Sequence, residues 1–170
     1  QQWMSLNLDV ATFRNGDAIE EIKNQKDWDK AHYSKKPAWC YYKNDSKNGS
    51  EYGKLYNFWA VSDPRGLAPE GWHVASNSEW NELITFLGDN TSAGNALRGS
   101  SSSSGFNSRS GGTRSLFSGF DNLYDRAYYW TSTPKSDDSG YLKMLPGSNG
   151  FIFTYDYFKG DGMSVRCVKD

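Results

Sequence analysis

Rings apart, few side chains in this 170-residue chain could do chemistry. There are two histidines, His32 and His73, and two cysteines, Cys40 and Cys167. Metal-centred redox catalysis needs several His and carboxylate ligands, or a pair of reactive thiols, and this inventory barely supplies either. A Ser nucleophile would be expected in a Gly-x-Ser-x-Gly elbow, and none occurs. His32, near Lys35 and Lys36, reads as a surface histidine, and His73 in Gly71-Trp72-His73-Val74 as a structural one. The residues therefore point away from an enzyme. Acidic pairs at Asp121/Asp125, Asp137/Asp138 and Asp156/Asp161 could offer oxygen ligands to a hard cation. A structural Ca²⁺ is the one cofactor left open, and no metal site is assigned.

The C-terminal third carries more. Between Tyr128 and Asp161, a frame of Trp130, Leu142, Leu145, Phe151 and Phe153 alternates with Tyr, Asp, Ser, Asn, Lys and Thr. A period of two along 151–158 places Phe151, Phe153, Tyr155 and Tyr157 on one face and Ile152, Thr154, Asp156 and Phe158 on the other. Tyr offers a large contact area at small entropic cost, while Ser, Gly and Asn adapt their hydrogen bonds to a partner. A ring beside Asp or Asn also suits the apolar face and the hydroxyls of a sugar. Trp130 and Phe153 are assigned to core. The candidate ligand-binding residues are Tyr128, Asp137, Asp138, Tyr141, Lys143, Tyr155, Asp156, Tyr157, Phe158, Lys159 and Asp161. The ligand class is a glycan or a protein surface.

The elements that must position these residues are expected as follows. Leu6, Leu8 and Val10 alternate with polar residues, so Trp3–Phe13 reads as a half-buried strand that ends at the Asn15-Gly16 turn. Asn24 caps a short helix over Gln25–Tyr33, which Pro37 ends. Trp39–Lys43 and Tyr52–Val61 read as extended segments around a turn-rich loop. The clearest helix is Ser76–Leu87: Ser76 and Glu79 form a capping box, Trp80, Leu83, Ile84 and Leu87 share a face, and Gly88 stops it. Thr91–Arg98 could form another helical turn. From Ser100 to Ser115 the Ser/Gly/Arg composition predicts a long surface loop. Strands follow at Ala127–Thr133, Tyr141–Leu145, Phe151–Phe158 and Ser164–Lys169. This order predicts one α+β domain over residues 1–170, with one or two helices packed on an antiparallel sheet and the two ends pairing.

Composition narrows the class further. Aromatics make up 16% of the chain, mean hydropathy is −0.79, and 19 basic residues nearly cancel 20 acidic ones. Such ring content argues against disorder, and the near-neutral balance leaves no basic footprint for nucleic acid. No apolar run approaches the length of a bilayer span. The chain opens Gln1-Gln2-Trp3 without Met, which reads as a piece of a longer precursor. A surface rich in Tyr, Asn, Ser and Gly suits an exported domain, so Cys40 and Cys167 are expected to form a disulfide. Closing so long a loop would contribute about 5 kcal/mol in the chain-entropy picture.

Several phrases together resemble one family. They are Trp3-Met4-x-x-Asn7-Leu8, Ala38-Trp39-Cys40-Tyr41-Tyr42, Tyr52-Gly53-Lys54-Leu55-Tyr56-Asn57, Gly66-Leu67-x-Pro69-x-Gly71-Trp72-His73-Val74, Glu79-Trp80, Gly111-Gly112-x-Arg114, Trp130-x-Ser132-Thr133 and Ser164-Val165-Arg166-Cys167-Val168-Lys169-Asp170. They span nearly the whole chain and resemble the Fibrobacter succinogenes major paralogous domain, itself similar to the formylglycine-generating-enzyme branch of the C-type-lectin-like fold. The resemblance implies a C-type-lectin-like domain of larger, exported bacterial surface proteins and lipoproteins, common in Bacteroidetes. One departure is Ala75, where the family usually has Pro, and it is expected to alter only the start of the helix. The Glu-Pro-Asn, Gln-Pro-Asn and Trp-Asn-Asp triplets of calcium-dependent lectins are absent. C-type-lectin-like proteins diversified by retroelements carry variable positions in a similar C-terminal stretch. The expectation is a non-enzymatic, extracellular or cell-surface ligand-binding domain. A structural accessory domain of an adhesin, fimbria or lipoprotein is the first alternative, and an oxidoreductase related to formylglycine generation the second.

Overall fold

A computed structural model of the chain describes residues 1–99, 103–147 and 150–170. In chain order the elements are β1 (Glu20–Glu21), α1 (Gln25–Tyr33), β2 (Ala38–Cys40), α2 (Gly49–Tyr52), β3 (Leu55–Tyr56), α3 (Phe58–Val61), β4 (Trp72–Val74), α4 (Asn77–Phe86), α5 (Asn90–Leu97), β5 (Gly111–Ser115), β6 (Gly119–Leu123), β7 (Arg126–Pro134), β8 (Ser139–Pro146), β9 (Phe153–Phe158), β10 (Ser164–Val165) and β11 (Cys167–Lys169). The fold is α+β, with small sheets in place of one large one. The largest, ordered β10-β7-β8-β9, is an antiparallel meander of β7, β8 and β9 with β10 parallel to β7. Smaller sheets join β1-β2-β3, β4-β11 and β5-β6.

The helices form where local chemistry asks for them. Asn24 accepts the Lys26 N–H to start α1, which buries Trp28 and Ala31. Ser76 and Glu79 close a reciprocal capping box at α4, satisfying two otherwise orphaned amides. Ala75, the departure from the family phrase, donates its N–H to the Arg166 carbonyl at 3.1 Å, a bond proline could not make.

The expected N-terminal strand is not regular. Only the isolated bridges Trp3↔Val168 and Thr12↔Ala18 form there, and Leu6 is exposed although Leu8 is buried. The segment nonetheless closes the domain, because the Met4 and Leu8 amides donate to the Cys167 and Val165 carbonyls at 3.0 Å.

The expected surface loop from Ser100 to Ser115 also needs correcting. Ser100, Ser101 and Ser102 lie outside the described residues, but Phe106 and Gly111–Arg114 are buried, and β5 pairs with β6. Glycine here serves close packing. Gly112 has φ +68°, and a Cβ on it would lie 2.6 Å from the Asp121 carbonyl oxygen. Arg114 is buried because its guanidinium donates to the Ile22 and Lys23 carbonyls and stacks 4.3 Å from the Trp28 ring.

The disulfide is corrected as well. Cys40 and Cys167 are free and fully buried, in different core clusters: Cys40 with Trp28, Leu55 and Leu116, Cys167 with Leu8, Val74 and Val165. Burial pushes their thiols up to about 11 and about 12. Both therefore behave as small hydrophobes held as neutral thiols.

Polar residues of the family phrases knit these clusters together. Arg166, fully buried, donates to Asn7 Oδ1 at 2.8 Å and to the Met4, Phe106 and Asn107 carbonyls. Asn7 in turn donates to the Tyr52 carbonyl at 2.8 Å. Lys54 reaches Asp9 at 2.6 Å and lies over the Trp39 and Tyr41 rings. Asn57 caps α3 and also accepts the Ala38 N–H.

Candidate ligand-binding face

Strand β9 lies at the end of the four-stranded sheet, paired only with β8. Cross-strand register sets what its two faces meet. On one face Phe153 lies beside Met144 and Tyr128, and Tyr155 beside Leu142 and Trp130. The inner members of those rows are buried in the core, whereas the β9 side chains overhang its edge. A row of rings results. Phe151–Phe153 centroids are 4.6 Å apart, Phe153–Tyr155 5.8 Å with planes only 13° from parallel, and Tyr155–Tyr157 6.4 Å. Phe151, Tyr155 and Tyr157 remain 38%, 43% and 41% exposed, while Phe153 is half-buried against the core.

At the Tyr157 end the row meets a small cavity of about 190 Å³. Thr113, Tyr128, Asp161 and Met163 are its buried residues, while Ser118, Asp121 and Tyr157 are exposed at its rim. Tyr128 and Tyr157 have ring centroids 6.4 Å apart. Burial raises the Tyr157 hydroxyl pKa, and Tyr128 and Asp161 nearby add to the effect. Asp161 Oδ1 accepts the Leu116 N–H at 2.7 Å, and burial pushes its carboxyl up to about 6.

The candidate residues divide among three places. Tyr128, Tyr155, Tyr157 and Asp161 converge on the ring row and its cavity. Tyr141, Lys143, Asp156 and Phe158 belong to the opposite face of the sheet, where Lys143 pairs with Thr154 and Tyr141 with Asp156 across β8 and β9. Lys143 is fully buried, donates to Asn81 Oδ1 at 2.7 Å and Thr154 Oγ1 at 2.8 Å, and is lowered by burial to about 8. That geometry makes it a buried tie between α4 and β9. Phe158 packs edge-on against Phe117, with centroids 5.5 Å apart. Asp137 and Asp138 are exposed in the turn between β7 and β8. Lys159 holds that turn to β9, its Nζ donating to the Asp137 carbonyl at 2.9 Å and its N–H to the Asp138 carbonyl. Of the candidate segment, Ser148 and Asn149 lie outside the described residues.

Sequence reasoning missed the β5–β6 hairpin's share: Thr113, Ser115, Ser118 and Asn122 line the cavity. Gly119–Leu123 shows no period-two alternation, with Phe120 and Leu123 three apart, so no local signal marks the hairpin. Among the described residues, no three of His, Cys, Asp and Glu converge where they could hold a metal ion. His73 is instead a clamp, its ring nitrogens 2.6 Å from Glu79 and 2.7 Å from Asp170. A larger groove of about 680 Å³, lined by Trp3, Phe86 and Phe106 among others, shares no residue with the β9 face.

Neither a curated protein nor a solved structure significantly matches the chain. The Fibrobacter succinogenes major domain matches residues 1–169, so that the phrases supplying Arg114, Arg166, Asn7 and Lys54 fall within the match. The chain belongs to the Fibrobacter succinogenes major domain family.

Proposed function

We propose that this domain is a non-enzymatic, extracellular or cell-surface module of C-type-lectin-like fold that binds glycan along the exposed rings of β9. The observation carrying this reading is the row Phe151–Phe153–Tyr155–Tyr157, aromatic side chains aligned at the sheet edge and left partly open to solvent. Phe153 and Tyr155, with planes 13° apart, offer consecutive apolar faces for stacking, and Phe151 and Tyr157 extend the row at a tilt. A linear oligosaccharide presents apolar faces in the same repeating way. Sibling sequences that differ chiefly within 128–161 would add retroelement-type diversification to this reading.

The test is binding of neutral tetrasaccharides (cellotetraose, mannotetraose, xylotetraose, laminaritetraose) to the domain and to its Tyr155→Ala variant. Binding of at least one, weakened about tenfold by the substitution with folding intact, is the expected result. The second reading is an accessory domain of a surface adhesin, fimbria or lipoprotein. It draws on the half-burial of Phe153 beneath the row, and a Tyr155→Ala variant that melts early would favour it.

A further inference from the structure

The cavity at the Tyr157 end is lined by hydroxyls and by the carboxylates of Asp121 and Asp161, and these groups together select a ligand. Asp161 is only 6% exposed, yet no Lys or Arg among the described residues pairs with it and none lines the cavity. A carboxylate has about four acceptor sites. The Leu116 amide, at 2.7 Å, and the Phe158 amide occupy two of them. Around it stand the hydroxyls of Thr113, Ser118, Tyr128 and Tyr157, which both donate and accept. The charged and titratable groups around Asp161 come from three strands: Asp121 from β6, Tyr128 from β7 with Arg126 bonded to its hydroxyl, and Tyr157 from β9.

Resting on the glycan reading above, we propose that this cavity is an end subsite that takes one uncharged sugar unit, with Asp161 accepting its hydroxyl protons, and that rejects acidic sugars. The reasoning is electrostatic. A carboxylate with acceptor sites left over can take further donors, and sugar hydroxyls are donors that fit a cavity of about 190 Å³. A uronic acid in the same place would add a third negative charge to those of Asp161 and Asp121, against the single cation Arg126 at the Tyr128 hydroxyl. At short range and reduced dielectric, that repulsion discriminates strongly. The ring row supplies affinity that does not depend on charge; the cavity reads charge at one end.

The experiment compares the tightest-binding neutral tetraose with the same tetraose oxidised to a uronic acid at its terminal unit. At about pH 7.5 the neutral ligand is expected to bind at least about tenfold more tightly to the wild-type domain. At about pH 4.5, below the Asp161 pKa of about 6, the ratio should shrink. In Asp161→Asn it should fall to within about twofold at both pH values. Tyr157→Phe, on the exposed rim, keeps the ring and removes one hydroxyl, and is expected to weaken neutral binding about threefold even if Asp161→Asn fails to fold. Equal binding of both ligands by the wild type overturns the subsite while leaving the ring row standing, provided Tyr155→Ala still loses affinity. A preference that Asp161→Asn leaves unchanged also overturns it. Failure of every neutral tetraose to bind overturns the ring-row reading and the subsite together.

Discussion

Trp28, Trp80 and Trp130 are at most 1% exposed, and two of them commit their indole N–H inside the fold, Trp28 to the Gly160 carbonyl and Trp130 to that of Tyr56. The β9 rings follow a different pattern: they touch one another in sequence along the edge and keep part of each face in water. Buried charge is met by backbone in both regions: carbonyls take the Arg114 and Arg166 guanidinium groups, and the Leu116 amide donates to Asp161. Rings spent inside the core have no face left for a ligand, and rings at an open edge do. The chain's ring excess thus holds two populations, one that builds the core and one that faces outward.

This comparison can be broken at several points. Trp130→Ala should cost the most, about 3–5 kcal/mol, because it opens a cavity in the core; urea denaturation measures it, and a loss below about 1 kcal/mol would remove Trp130 from the framework. Next comes pH. A carboxyl raised by the fold to about 6 from 3.8 holds its proton more tightly folded than unfolded. Stability should therefore fall as pH rises from about 4 to beyond about 6, by roughly 2–3 kcal/mol from this group. Asp161→Asn should flatten that decline, and an unaltered pH profile would mean that the carboxyl is solvated or paired.

Ring truncation at the edge should act on binding in place of stability. Tyr155→Ala and Tyr157→Ala are each expected to lower glycan affinity about tenfold, about 1.4 kcal/mol, while folding stability stays within about 1 kcal/mol of wild type. Melting loss on the scale of Trp130→Ala would merge the two ring populations into one. A smaller effect belongs to His73, whose pKa is raised by its hydrogen bond to Glu79 and then by Asp170, against burial. Its stabilisation is present in full below about pH 6.5 and is lost as pH climbs through the raised value. Because the ring is partly exposed the contribution is about 0.5 kcal/mol, and His73→Gln should erase that pH dependence. Smallest of all is the response to a reductant: with Cys40 and Cys167 unpaired, dithiothreitol should leave the melting temperature unchanged.

Features held by short-range chemistry were legible in the amino-acid order. The Asn24 cap and the Ser76/Glu79 box act within three residues, so α1 and α4 could be placed before any fold was known. The face shared by Phe151, Phe153, Tyr155 and Tyr157 follows from strand alternation alone. Where a feature depends on a distant partner, local reading failed. Gly111–Arg114 reads as surface by composition, yet Arg114 is buried because carbonyls at Ile22 and Lys23 wait for it. The segment around Leu6, Leu8 and Val10 has the alternation of a strand but tracks the C-terminal strands through only scattered bonds.

Residue order alone carried the family, the two capped helices, the antiparallel strands β7, β8 and β9 and the set of rings that share a face, while the expected strand Ser164–Lys169 divides into β10, parallel to β7, and β11. Only the tertiary structure decided which of those rings overhang the sheet edge, that Tyr128, Tyr157, Asp161 and Thr113 meet around one cavity, and that the cysteines lie in separate clusters. The physical reason is range. Capping and alternation are set by covalent neighbours, while exposure, cavities and sulfur pairing depend on which strand ends up beside which.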